Sequence, residues 1–133
     1  MNELFGEVIY SYTRKQALQD GELVDVTSTA KEAGFLLPVA VTRAVWVDCI
    51  EWPEDLNAKK KTLQDEAGRL WDVVYMGFMA VRQNKAESSI LYRLYRVPTE
   101  GGKRRAREVE LKITVHGGDE GEPVITISQP NED

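Results

Sequence analysis

The chain has 133 residues, of which 42% are hydrophobic and 29% charged, and a formal net charge of −5. That is about one domain of chain with enough apolar content for one core, which excludes a disordered, collagen-like or disulfide-framework protein. One cysteine and one histidine, Cys49 and His116, exclude an intramolecular disulfide and count against zinc and histidine-based catalysis. No metal, cofactor or catalytic residue is therefore assigned.

Residues 7–12 hold strand-forming side chains and lead into Thr13-Arg14-Lys15-Gln16. That run is a capping box, in which the Thr13 hydroxyl accepts from the Gln16 amide and the Gln16 side chain reaches back. A short helix is expected to about Gln19, ended by Asp20-Gly21, because glycine takes the left-handed conformation at little cost. A short strand at residues 23–26 and a second short capped helix before Gly34 follow. Residues 35–41 read as extended, and Pro38 argues against a central strand there. Thr42 is the expected N-cap of a helix over residues 43–51, with Val45, Cys49 and Trp52 on one face.

Residues 53–67 are polar and read as a solvated loop with one short helical turn, its Lys59-Lys60-Lys61 run facing water. Residues 68–84 predict the central helix. Only Asp72 is charged between Leu70 and Val81, and a helix apolar nearly all round is a buried one. Asp72, if enclosed, needs a partner, and Arg69 is the nearest cation. Gly77 inside this helix implies close packing against a neighbour. Residues 89–97, 108–115 and 123–128 then predict strands. Val109, Leu111, Ile113 and Val115 alternate toward the core, and Glu108 and Glu110 can pair with Arg93 or Arg96 across strands.

The expected fold is α+β, with N-terminal helices and a long buried central helix packed on a C-terminal three-stranded antiparallel sheet. Residues 1–133 form a single domain in this reading, with residues 129–133 a disordered tail. Residues 1–7 lack the basic and apolar regions of a signal peptide. The longest apolar stretch, residues 73–81, is well short of the ~20 residues that span a bilayer. A cytoplasmic location without membrane contact is expected.

The charge is unevenly spread: residues 1–84 carry −4, residues 85–112 carry +4 and residues 113–133 carry −5. The basic hairpin loop, Lys103, Arg104 and Arg105 with Arg107, and the nearby Tyr92 and Tyr95, is the candidate contact for an acidic partner or phosphate. A polar cleft between the N-terminal helices and the sheet has Tyr12, Arg14, Asp25, Arg69 and Asp72 as candidates. The acidic turn at residues 119–122 lacks the ligand spacing of a calcium loop and reads as solvated.

The segments at residues 12–26, 38–46, 68–73, 94–98 and 121–127 together resemble a family of small uncharacterised bacterial proteins carried on plasmids, integrative elements and phages. The resemblance runs over nearly the whole chain and brings no catalytic motif. It implies an accessory protein of a mobile genetic element. The preferred reading is a non-enzymatic interaction protein acting on host or element machinery, with protein as the partner and nucleic acid not favoured. The alternatives are a small ligand-binding domain or enzyme using the carboxylate/Arg cleft, and a nucleic-acid accessory protein using the basic hairpin.

Overall fold

The computed structural model describes residues 12–101 and 105–132. Local signals set the first elements. Thr13 and Gln16 form the reciprocal capping box, at 3.0 and 2.9 Å, that starts α1, Arg14–Asp20. The expected strand at residues 7–12 lies outside the described residues except for Tyr12. Strand β1, Leu23–Asp25, leads into α2, Thr27–Ala33. Strand β2, Val39–Thr42, starts directly after Pro38. The Thr42 hydroxyl accepts from the Val45 amide and begins α3, Arg43–Val45, which widens into a π-helical turn at Trp46–Ile50. Val45, Cys49 and Trp52 are all buried there. Helix α4, Asp55–Lys60, and the long helix α5, Glu66–Gln83, follow. Strands β3, Ser89–Arg96, β4, Arg107–Gly117, and β5, Pro123–Ser128, complete the described fold.

The architecture is α+β, but the sheet departs from the expected meander. It has five strands in the order β1-β2-β5-β4-β3. The three C-terminal strands are antiparallel as read. The N-terminal half adds two more, and β2 runs parallel to β5, pairing Val39, Ala40 and Val41 with Ile125, Thr126 and Ile127. Pro38 does not bar this, because it sits just before the strand and its carbonyl accepts from the Ile125 amide at 2.9 Å. β5 is thus the middle strand, and β2 is interior rather than an edge.

One face of the sheet carries the core. Val39, Val41, Leu111, Ile113, Ile125 and Ile127 meet Val73 and Val74 of α5, Ala30 of α2, and Val45 and Ile50 of the third helix. A fully buried aliphatic side chain of this kind is worth about 1.5–3 kcal/mol. Gly77 lets α5 lie close to the sheet: a Cβ there would sit 3.2 Å from the Tyr92 hydroxyl oxygen and 3.4 Å from Ile113 Cδ1. Phe78, one residue on, packs edge-on to Phe35 with ring centroids 5.2 Å apart.

The central helix is not buried all round. Arg69, Val73, Val74 and Gly77 are buried, but Trp71, Asp72, Tyr75 and Met76 are exposed. Trp71 and Tyr75, one turn apart, stack with centroids 5.5 Å apart on that open face. The sheet covers one side of α5 only, and its large amphipathic rings shield one another instead of entering the core. Lys60 also departs from the reading of a solvated lysine run. It is buried, and its Nζ donates to the Pro98 and Glu100 carbonyls at 2.6 and 3.1 Å.

Candidate functional site

The second face of the sheet is the polar one. Strand alternation places Thr114 and His116 of β4 and Thr126 and Ser128 of β5 on it, with Lys112 and Thr42 at neighbouring pairs. Helix α1 lies over this face and turns it into a cleft. What holds α1 down is Asp119, in the turn between β4 and β5. Its Oδ1 accepts from the Arg14 amide at 2.7 Å and its Oδ2 from the Lys15 amide at 3.0 Å. Those amides are among the first-turn donors that a helix leaves unpaired. The two bonds hold the Asp119 carboxyl below its ordinary value, the Arg14 amide contributing most. The acidic turn is therefore a clamp on α1, joining positions over 100 residues apart.

Arg14 fixes the second point of contact. Its Nη1 donates to Thr126 Oγ1 at 2.7 Å and its Nη2 to the Ile125 carbonyl at 2.8 Å. Burial pulls this guanidinium below its ordinary value, while Asp25, Asp119 and Glu122 act in the opposite sense. With Oγ1 receiving from Arg14, the Thr126 hydroxyl proton is available to His116 Nε2, 2.7 Å away. That assignment makes Nε2 the acceptor and leaves the ring proton on Nδ1, which donates to the Gly117 carbonyl at 3.0 Å. The single histidine is thus an exposed member of a chain of hydrogen bonds running Arg14, Thr126, His116.

The resulting cleft has a volume of about 500 Å³ and is floored by Thr42, Thr114, Thr126 and Ser128 and walled by Tyr12, Arg14 and His116. Of the residues expected as a tail, 129–132 are described, and they turn back to one end of it. Glu132 Oε1 accepts from the Thr42 hydroxyl at 2.8 Å and the Gln129 amide at 2.7 Å, and Lys112 Nζ donates to the Glu132 carbonyl at 3.0 Å. The arrangement offers hydroxyls, an imidazole and an ammonium group for hydrogen bonding. The hydrogen bonds of Thr126 and His116 involve no carboxylate among the described residues. Among the described residues, no group of three or more His, Cys, Asp or Glu side chains is placed to hold a metal ion, and no helix is long and apolar enough to cross a membrane.

A family model, described as a family of unknown function (DUF6573), matches residues 1–133. The chain belongs to this family. No curated protein and no solved structure matches it.

In this DUF6573 chain the residues singled out from sequence fall in several places. Tyr12 and Arg14 line the cleft. The Tyr12 hydroxyl donates to Asp20 Oδ2 at 2.7 Å, and that bond, foremost, pushes its pKa up to about 12. Asp25 sits on the polar face, where its Oδ1 accepts from the Thr27 amide and hydroxyl. Arg69 and Asp72 lie on the opposite side of the sheet, at a smaller pocket of about 210 Å³. They do not form the expected pair. Asp72 is exposed, and Arg69 donates instead to the Ile50 and Val97 carbonyls at 3.1 and 2.8 Å.

The basic hairpin separates as well. Lys103 and Arg104 lie outside the described residues, and Arg105 and Arg107 are exposed. Tyr95 is 66% exposed, on the polar face. Tyr92 is not a surface residue: it is buried under α5 and its hydroxyl donates to the Val73 carbonyl at 2.9 Å. Its position on β3, one residue from exposed Leu91 and Arg93, puts it on the core side of the strand. Arg93 faces Glu108 and Glu110 at 3.8 and 3.6 Å, as expected of cross-strand pairs, whereas Arg96 pairs with Asp48 at 3.0 Å. The cleft residues that sequence reasoning passed over are Thr42, Lys112, Thr114, His116, Asp119, Thr126 and Ser128. Their alternation marks a polar strand face, and nothing local to them announces that α1 covers it.

Proposed function

We propose that this protein is a binding domain rather than a catalyst, and that its ligand is a small polar molecule taken into the cleft between α1 and the sheet. The observation that carries this reading is the cleft itself. A volume of about 500 Å³ falls within the roughly 300–1,000 Å³ usual for small-molecule sites. Its floor is a set of hydroxyls drawn from three strands, and its wall is an arginine, a histidine and a tyrosine. A flat interface for a protein partner would need no such concavity. The accessory role in a mobile genetic element supplies the setting, supported by the resemblance of the segments named above. In that setting the protein acts on host or element machinery through what the cleft holds. The nucleic-acid reading is weaker, because Tyr92 is buried and only Tyr95 remains as a stacking surface beside Arg105 and Arg107.

The test is native mass spectrometry of the protein after incubation with a small-molecule extract of a bacterial host. Thr114→Trp serves as control, since an indole at that floor position fills the cleft from the sheet side. The reading predicts a retained small molecule with the native sequence and its loss in Thr114→Trp at unchanged circular dichroism. Equal retention by both proteins places the ligand elsewhere. Retention of nothing across extracts of several hosts contradicts the small-ligand reading.

A further inference from the structure

Arg69 is the most deeply buried cation of α5, at 4% exposure. Its Nε and Nη1 serve the Ile50 and Val97 carbonyls, with a longer contact of 3.4 Å from Nη1 to Gln64 Oε1. Its guanidinium lies over the Trp52 ring, 4.6 Å from the centroid. No carboxylate oxygen comes within 4.0 Å of it among the described residues. Its Nη2 is buried without a hydrogen-bond partner among the described residues. A guanidinium removed from water without a counter-ion is among the costliest groups a fold can hold, and carbonyl dipoles and a ring face offset only part of that cost.

A second orphan belongs to Arg96, which lines the same pocket as Arg69. Arg96 reaches Asp48 with Nη2, at 3.0 and 3.2 Å to its two oxygens, while its Nε is buried and has no partner among the described residues. Buried donors left unpaired are rare in folded proteins and call for a specific cause. Both arginines line the same pocket of about 210 Å³, with Gln64, Asp72, Tyr95 and Ala106 around it. Cys49, also in its lining, brings no competing chemistry, as its thiol is buried and hydrogen-bonded toward Asp48.

We propose that this pocket is a second binding site, separate from the cleft, and that it takes a phosphate-type oxyanion held by Arg69 Nη2 and Arg96 Nε. The two donors belong to different guanidinium groups, one on α5 and one on β3. That suits an anion with several acceptor oxygens better than a carboxylate, which a single arginine fork satisfies. Both nitrogen atoms are closed off from water by their neighbours, so the anion seats as the pocket wall yields. Gln64, with its long contact, is the wall residue most readily displaced. Asp72 at the pocket opposes the anion. Its carboxyl is raised by desolvation, with Arg69 acting the other way.

The test follows the side-chain Nε–H signals of Arg69 and Arg96 by NMR while inorganic phosphate is added to the full chain at constant ionic strength. A second titration uses methyl phosphate. The proposal predicts saturable shifts of both signals, weaker binding by at least tenfold in Arg96→Gln, and binding several-fold tighter in Asp72→Asn. Arg69 variants are avoided because the Ile50 and Val97 carbonyls depend on that side chain. Binding of inorganic phosphate alone identifies the free ion as ligand, and equal or tighter binding of methyl phosphate identifies the phosphate end of a larger molecule. Absence of a saturable shift with either probe overturns the proposal. So does an Asp72→Asn protein that is less stable and unchanged in its phosphate response, because Asp72 is then the internal counter-ion of Arg69.

Discussion

Asp119 joins the β4–β5 turn to the start of α1. Its two oxygens take the amides of Arg14 and Lys15, and they act beside the Arg14 guanidinium and the buried Ala17 in holding α1 over the sheet. The carboxyl sits below its ordinary 3.8 in the folded chain. A depressed folded-state value means that the contribution is complete above the unfolded value and is lost as pH falls through the folded one. Helix α1 is therefore expected to loosen below about pH 4. Protection of the Arg14 and Lys15 amides from exchange, measured by NMR against the intrinsic rate at each pH, falls over that range in the native sequence. In Asp119→Ala that protection is already low at neutral pH and no longer changes with acid. Exchange that stays slow in Asp119→Ala would show that the clamp is not what holds the helix.

At the scale of elements, the contact between α2 and α5 turns on Gly34. It has φ +124°, and a Cβ there would lie 2.5 Å from Phe78 Cζ. The ring has little room to retreat, because Phe35 meets it edge-on. Gly34→Ala is expected to cost about 1–3 kcal/mol through overlap, with backbone strain adding to it. Urea denaturation measures this as a lower midpoint at unchanged slope. A midpoint within error of the native sequence would mean that α2 and α5 are free to separate.

The α1 start was readable from Thr13 and Gln16, and the third helix from Thr42 and the face of Val45 and Cys49, because capping and spacing are local. The open side of α5 was not. Trp71, Tyr75 and Met76 count as apolar in any pattern, and only the position of the sheet decides that they face outward.

At the scale of the whole molecule, the decisive feature is the parallel pairing of β2 with β5. It joins residues 39–41 to residues 125–127 and moves β5 from the end of a meander to the middle of the sheet. Each strand has its own local signal, but a pairing over some 85 positions has none. The cleft was hidden for the same reason. Thr114, Thr126 and Ser128 alternate as a water-facing strand surface should. It takes the long-range bonds from Asp119 and Arg14 to bring α1 across them. Tyr12 and Arg14 were within reach of sequence reasoning because they flank a recognisable helix start. Their neighbours on the sheet were not.

The placement makes a prediction about Glu132, which occupies one end of the cleft through Thr42. Glu132→Ala is expected to widen access and raise affinity for the ligand retained from extract, read as a lower dissociation constant by titration. Weaker binding would instead make Glu132 part of the binding surface.

The central claim is that the face beneath α1 is the one that binds. The most direct measurement is an amide chemical-shift map of the full chain as the ligand recovered from host extract is titrated in. The account predicts shifts concentrated at Arg14, Thr114, His116, Thr126 and Ser128, with the amides around Trp71 and Tyr75 on the far side unmoved. Shifts centred on α5 or on the β3–β4 connection, with the cleft silent, would contradict it.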